Sequence, residues 1–208
     1  MQILILDGSI GGTSGNTAKV LEAFQHAVLE RDSKVTFDRL DLSAAAIVDQ
    51  ERLRAADGFV FATGTYWDSW GSPMQRFFEQ ATSLEGSDCW LGKPAALITT
   101  MHSVGGKEVL NRLHGVINSF GLYVPPMCGF TYSFANHLAI QAPTSAFDQT
   151  TRDFADDLWR LEDLKTVAAN LSQAISLGQN ARVQWSAWTV DREDANRLWL
   201  TNRPDLRR

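Results

Sequence analysis

The chain has 208 residues and a net charge of −5, with 44% hydrophobic and 21% charged residues. That length holds one sizeable core, or one domain with appendages, and the acidic balance gives no electrostatic case for nucleic acid or an anionic membrane surface. No apolar run approaches the ~20 residues that span a bilayer, and the start directly in a core strand argues against an export leader, so Cys89 and Cys128, the only cysteines and not in a CxxC pair, read as reduced cytoplasmic thiols rather than zinc or iron–sulfur ligands.

Ile3-Leu4-Ile5-Leu6 is a short apolar run that predicts a strand. Gly8 to Thr17 follows as Gly-Ser-Ile-Gly-Gly-Thr-Ser-Gly-Asn-Thr. Leu21, Phe24 and Val28, at i, i+3 and i+7, then predict a helix from Asn16 to about Glu30. A glycine-rich strand-to-helix turn suits an anion, because the first N–H groups of a helix lack intrahelical partners and carry partial positive charge. Glycines let the backbone approach closely, and Ser9, Thr13, Ser14 and Thr17 add hydroxyl donors. The loop has neither the Gly-x-x-x-x-Gly-Lys-[Ser/Thr] of a triphosphate loop nor the Gly-x-Gly-x-x-Gly of a dinucleotide fold. Hydroxyls without a basic residue suit a single terminal monophosphate. The plainer alternative is that Asn16 or Thr17 only caps a helix.

Ser33–Asp38 reads as the second strand and Asp49–Ala56 as a short helix. Gly58–Thr63 is nearly all apolar, as in a parallel strand buried on both faces. Gly64–Pro73 is an aromatic loop, and Pro73 opens a helix to about Thr82 with Met74, Phe77 and Phe78 inward. After a loop from Leu84 to Lys93, Pro94–Met101 is the fourth strand and His102–Gly106 a second glycine loop. Lys107–Phe120 is an amphipathic helix with Leu110, Leu113, Ile117 and Phe120 on its stripe. Leu122-Tyr123-Val124 reads as a fifth short strand, stopped by Pro125-Pro126. Strands and helices in alternation predict an α/β fold, a doubly wound five-stranded parallel sheet with helices on both faces. Ligands of such sheets sit at the strands' carboxyl ends, here the loops 7–16, 64–72 and 101–106.

From Met127 to Ala142 signals are few, and Gly129–Tyr132 reads as a bend or a subunit contact. Phe154, Leu158, Leu161, Leu164, Ala168, Leu171 and Ile175 form a long helical stripe, with Gly178 as its C′ residue. Asp153, Asp156, Asp157, Glu162 and Asp163 lie mostly off that stripe, as a solvated face rather than a metal site. The expected division is one domain over 1–178 and a tail over 179–208. That tail carries Trp185, Trp188 and Trp199 and is expected to pack on its own domain or a partner subunit.

The three loops together resemble those of the flavodoxin-like FMN-dependent reductases, a superfamily of NAD(P)H-dependent FMN reductases and NAD(P)H:quinone oxidoreductases of the tryptophan-repressor-binding-protein type. The resemblance covers about residues 1–175. Gly8-Ser9 through Gly15-Asn16-Thr17 is similar to the phosphate loop of that group. Thr63-Gly64-Thr65-Tyr66-Trp67, with Gly71 and Gln75-Arg76-Phe77-Phe78, is similar to the second flavin loop and its helix. Thr99-Thr100-Met101-His102-Ser103-Val104-Gly105-Gly106-Lys107-Glu108 is similar to the third, and Gly121–Pro125 also fits. The chain departs from the group's pattern in a phosphate loop one residue longer, with Ile10-Gly11 for Pro-Arg. Met101-His102 stand where glycine is usual, the second loop holds both Trp67 and Trp70, and Ser119 and Phe120 occupy positions where the quinone oxidoreductases often carry histidine.

The resemblance implies bound FMN, reduced by NADH or NADPH and reoxidised by a quinone or similar small-molecule acceptor. It assigns Ser9, Ser14, Gly15, Asn16 and Thr17 to the phosphate, with the longer loop leaving Thr13 as the alternative to Ser14. Thr65, Tyr66 and Trp67 fall beside the ring, and Thr100, Met101, His102, Ser103, Gly105 and Gly106 on its other side. The chemistry is the flavin's, so no side chain is named as catalytic, and the loops tune its potential. Exchange through one pocket predicts ping-pong kinetics. His26, His114 and His137 read as structural. Homodimers or homotetramers are expected from the same resemblance. A flavodoxin-like electron carrier without NAD(P)H oxidation is the alternative from another class, and a doubly wound domain for another phosphorylated ligand is a third.

Overall fold

Ile3, Leu4, Ile5 and Leu6 are all fully buried in β1 (Gln2–Asp7), and alternate residues enter opposite faces of the sheet. Ile3 and Ile5 join one core cluster, Leu4 and Leu6 the other. Each such side chain contributes about 1.5–3 kcal/mol on burial, so one strand anchors two layers. The computed structural model describes residues 1–44, 48–141, 160–180 and 183–188.

β1 is flanked in parallel by β2 (Thr36–Asp41) and β3 (Gly58–Tyr66). β3 turns back as the two-residue antiparallel β4 (Ser69–Trp70). β5 (Ala95–Met101) pairs in parallel with β3, and β6 (Gly129–Ser133) with β5. The order β2-β1-β3-β5-β6 is the 2-1-3-4-5 order of flavodoxin-like sheets, with β4 set aside. Among the described residues the α-helices are α1 (Asn16–Arg31), α2 (Gln50–Ala55), α3 (Ser72–Ala81), α4 (Gly106–Phe120), α5 (Phe134–Gln141) and α6 (Leu164–Asn180). α1 and α6 pack on the Ile3/Ile5 face; α2, α3 and α4 pack on the Leu4/Leu6 face. The fold is the expected doubly wound α/β sandwich.

Several boundaries differ from the sequence reading, each for a local reason. The second strand starts at Thr36, not Ser33. Asp32 draws the preceding residues into a turn, its carboxylate accepting from Lys34 N at 2.9 Å and its carbonyl from Val35 N at 3.3 Å. The fifth strand is Gly129–Ser133 rather than Leu122–Val124, so the stretch read as a bend or subunit contact is core sheet. Tyr123 makes only an isolated bridge to Pro94. Pro125 and Pro126 lack the N–H groups that a ladder needs, and the chain turns through Met127 at φ +60° before re-entering the sheet.

Gly178 does not end its helix. α6 runs to Asn180, and Gly178 has no left-handed φ. The same helix starts only at Leu164, after a 3-10 turn at Leu161–Asp163, with Arg160 extended and its N–H held by Asp163 at 2.6 Å. Phe154, Leu158, Asp153, Asp156, Asp157 and Trp199 lie outside the described residues. α5 had no periodicity to announce it.

Candidate functional site

β1 ends on Asp7, fully buried, whose carboxylate pairs with the Arg39 guanidinium from β2 and accepts from Ser9 N at 3.0 Å. Arg39 also donates to the Gly12 carbonyl at 3.4 Å. Arg39 is therefore engaged beneath the loop rather than aimed above it. Gly12, at φ +51°, could carry no side chain without meeting Asp41 Oδ2 at 2.7 Å. Gly11 and Gly15 approach so closely that a Cβ on Gly11 would lie 2.8 Å from Gly15 Cα. Gly15 is the N-cap of α1, and no side chain caps that helix. Ala18 N donates to the Gly15 carbonyl at 3.1 Å, and this first turn carries the positive end of the helix dipole. Ser9 is 2% exposed, and among the described residues its Oγ has no hydrogen-bond partner.

The second loop is a hairpin. Buried Thr63 Oγ1 accepts from Gly71 N at 3.1 Å and lies 3.4 Å from the Gly8 carbonyl, joining the first and second loops. β3 then runs on to Thr65 and Tyr66, paired with Trp70 and Ser69. The tip residues Trp67 and Asp68 both have positive φ, +49° and +56°, the signature of a tight primed turn usually built with Asn and Gly. The Trp67 side chain is wholly exposed. Trp70 is half-buried: its indole packs edge-on to Phe78 at 5.6 Å and donates to Gln75 Oε1 at 2.8 Å. Arg112 from α4 lies over the Trp70 ring and donates to the Asp68 carbonyl at 3.3 Å, which fixes the hairpin. Thr65 Oγ1 is a second buried hydroxyl without a partner among the described residues.

The third loop leaves β5. Thr100 Oγ1 lies 2.8 Å from Thr17 Oγ1. Thr99 Oγ1 lies 2.8 Å from Thr131 Oγ1 and donates to the Gly106 carbonyl at 3.2 Å. Met101 has a local role where the resembling family has glycine: its Sδ accepts from Gly106 N at 3.2 Å. The His102 carbonyl accepts from Ala135 N at 2.7 Å and from Ser133 Oγ at 3.3 Å, so β6 and α5 hold the loop. Gly105, at φ +87°, leaves room for the Asp68 carboxylate, which would lie 2.1 Å from any Cβ there. The second and third loops thus lock against each other.

These loops enclose a cavity of about 230 Å³. Of the expected residues it brings together Ser9, Gly15, Asn16, Thr17, Thr65, Tyr66, Thr100, Met101 and His102. Thr13, Ser14, Trp67, Ser103, Gly105 and Gly106 are not in its lining. Thr13 is exposed, and Ser14 Oγ is 3.3 Å from the Gly11 carbonyl within the loop's own turn. Gly105 and Gly106 instead shape the loop behind the wall. Gly11, Gly64 and Phe134 are lining residues that sequence reasoning did not select. The glycines lie inside loops it had marked, while Phe134 belongs to the stretch without periodicity. Phe134 packs edge-on to Tyr132 at 5.1 Å, and the Tyr132 hydroxyl lies 2.5 Å from His137 Nδ1. Burial pushes the Tyr132 phenol above its ordinary value, so it stays neutral under the cavity wall.

The donor set fits FMN. One end offers uncapped N–H groups and an unpartnered buried hydroxyl to a phosphate, and the other offers the Thr65 hydroxyl between an aromatic hairpin and the third loop. Among the described residues no lysine or arginine lines the cavity, so these residues would hold a phosphate by hydrogen bonds and the helix dipole.

The profile of the family described as NADPH-dependent FMN reductase matches residues 1–137. A search of curated proteins by sequence returns no match. Among solved structures, an oxidoreductase from Corynebacterium diphtheriae aligns with TM-score 0.61 and 19% identity, over 85% of this chain and 97% of its own. The NAD(P)H:(acceptor) oxidoreductase FerB from Paracoccus denitrificans aligns with TM-score 0.55 and 16% identity, over 86% and 97%. A WrbA-like flavodoxin protein from Agrobacterium tumefaciens gives 0.54 and 16%, over 86% and 97%. These likenesses carry the fold, and the profile carries the family: the chain belongs to the NADPH-dependent FMN reductases and is an FMN-dependent oxidoreductase.

Proposed function

We propose that this chain passes reducing equivalents from NAD(P)H to a quinone or a similar flat, small-molecule acceptor. The observation that carries the reading is the pair of buried, unpartnered hydroxyls, Ser9 Oγ and Thr65 Oγ1, in one cavity built from three strand ends. An unsatisfied buried hydroxyl costs about 1–3 kcal/mol, so two in one cavity argue for a ligand that satisfies both. Bound FMN supplies the hydride and electron transfer.

The chain's own residues hold and orient. Ser9, Gly15, Asn16 and Thr17 would hold the phosphate, with the exposed Thr13 and Ser14 at the loop's outer side. Thr65 and Tyr66 would meet one side of the ring, with Trp67 beyond them at the hairpin tip. Thr100, Met101 and His102 form the opposite wall; Ser103, Gly105 and Gly106 set that wall's position. The His102 imidazole, exposed at the lining, would be able to donate to a polar atom of the ring. A quinone is favoured as acceptor by the apolar side chains exposed on all three loops: Ile10 at 53%, Trp67 at 102% and Val104 at 74%. Assembly into homodimers or homotetramers belongs to the same reading through the family resemblance. Cys89 and Cys128, both free and buried, fit a cytoplasmic setting. Among the described residues no helix is long and apolar enough to cross a membrane.

The test is a visible spectrum after adding FMN and desalting, followed by NADPH and then NADH without oxygen, then a quinone. Flavin bands should remain, bleach with a nicotinamide donor and return with the quinone. Bands that persist without bleaching identify an electron carrier and overturn the donor assignment. Bands that do not return identify a different acceptor.

A further inference from the structure

Asp7 is a fully buried carboxylate at the end of β1, directly before the Gly8–Thr17 loop. A charge so placed is retained only when it is paired and hydrogen-bonded. Its two oxygens are divided: Oδ2 accepts from Arg39 Nη2, and Oδ1 accepts from Ser9 N at 3.0 Å. The guanidinium is divided too. The same Nη2 donates to the Gly12 carbonyl at 3.4 Å, and Nε, which is buried, has no partner among the described residues.

A neighbouring pair on β2 shows what this arrangement gives up. Arg52 of α2 meets Asp38 with its full fork, Nε to Oδ2 at 2.7 Å and Nη2 to Oδ1, the geometry in which arginine holds a carboxylate best. That pair staples α2 to β2. Asp7 and Arg39 forgo the second prong, and each keeps a contact for the loop instead, Asp7 at Ser9 and Arg39 at Gly12. A second carboxylate stands beside the loop. Asp41 Oδ2 would lie 2.7 Å from a Cβ on Gly12, and among the described residues Asp41 has no ion pair.

We propose that Arg39 is a positioning residue by which this chain prefers FMN to riboflavin, the same flavin without its phosphate. The proposal rests on the reading of the Gly8–Thr17 loop as the phosphate end of the cavity. Arg39 acts in two ways. It ties the loop at Gly12, and it cancels the Asp7 charge beneath Ser9, a residue of the cavity lining. Without Arg39, the Asp7 and Asp41 carboxylates would both stand unmatched near a phosphate that itself carries about −1.5 to −2 charges at pH 7. At an effective dielectric near ~20, one unmatched charge ~10 Å from such a group changes Kd by roughly tenfold or more. Riboflavin has no charge there to register the difference.

The test is a fluorescence titration of the full chain with FMN and with riboflavin. The parent should bind FMN more tightly; equal affinities would overturn the phosphate placement and the proposal with it. R39M should lower the ratio of the two affinities about tenfold or more, while the riboflavin Kd moves by less than about threefold. R39K keeps the charge and should retain most of the ratio. Equal losses of both ligands in R39M, with the parent still preferring FMN, overturn the proposal alone and leave Arg39 a structural residue. A ratio in R39K no better than in R39M overturns it as well. Should R39M not fold, D7N and D7N/R39M carry the test, because a buried pair replaced by neutral groups is often tolerated. D7N leaves Arg39 unmatched and should raise the ratio above the parent's. D7N/R39M should fall below D7N by about tenfold, and equal ratios in the two overturn the proposal.

Discussion

The hydroxyls of Thr17 and Thr100 lie 2.8 Å apart, both buried, and join the first turn of α1 to the end of β5 across 83 positions of sequence. This one bond sets the distance between the phosphate end of the cavity and its third-loop wall. Replacing one partner strands the other: Thr17→Val or Thr100→Val should each cost about 1–3 kcal/mol of stability. The double variant should recover much of that, because two apolar groups of the same shape replace a satisfied pair. FMN affinity should fall in all three. Urea midpoints and flavin titration separate these effects. A double variant no more stable than the singles would show that the bond only accompanies tight packing there.

Ser9 predicts the opposite pattern. Its buried hydroxyl has no partner among the described residues, so Ser9→Ala removes an unmet group and should leave the ligand-free chain as stable or slightly more stable. The same change removes a donor to a charged phosphate, worth about 1.5–3 kcal/mol, or roughly 10- to 150-fold in Kd. Stability and affinity should therefore move in opposite directions. An unchanged Kd would remove Ser9 from the phosphate site.

Much of this was readable in the sequence because its patterns are local. Ile3–Leu6 and Gly58–Thr63 are buried on both faces, and a strand so placed reads as a continuous apolar run. The glycine loops fall where those strands end. What escaped depends on partners distant in sequence. Asp7 and Arg39 are 32 positions apart and meet only because β1 and β2 pair in register. β6 is short and follows two prolines, so its pairing with β5 decides it rather than its composition. The Trp67–Asp68 turn contains no glycine, and nothing in its residues announces a hairpin.

That hairpin and the third loop meet at Asp68 and Gly105, where a Cβ on Gly105 would lie 2.1 Å from Asp68 Oδ1. Gly105→Ala faces two costs: a φ of +87°, worth about 1–3 kcal/mol for a non-glycine residue, and the carboxylate in its way. Asp68→Gly alone relieves a positive-φ residue in the turn and should stabilise the hairpin. Combined as D68G/G105A, it should remove the clash and leave only the backbone cost. The double variant should thus be more stable than G105A and less stable than D68G, with FMN retention following the same order. Simple additivity in denaturation would mean that the two loops do not contact in solution.

Cys128 sets an alkaline limit. Its Sγ lies 3.7 Å from the Val167 carbonyl, and burial pushes the thiol from its ordinary 9.0 up to about 12. The folded chain keeps this proton where the unfolded chain releases it. The stabilisation is complete below pH 9 and is lost as pH rises from about 9 toward 12, at ~1.4 kcal/mol per unit. Burial also raises Tyr123 and Tyr132, which adds a similar loss at higher pH in every variant. Cys128→Ala leaves a small cavity and should be less stable than the parent at pH 7, with a gap that closes between pH 9 and 11. Urea midpoints across that range measure the gap, and parallel curves would mean that the thiol reaches water. The same burial predicts no reaction of Cys128 with a thiol reagent at pH 8 until the chain unfolds.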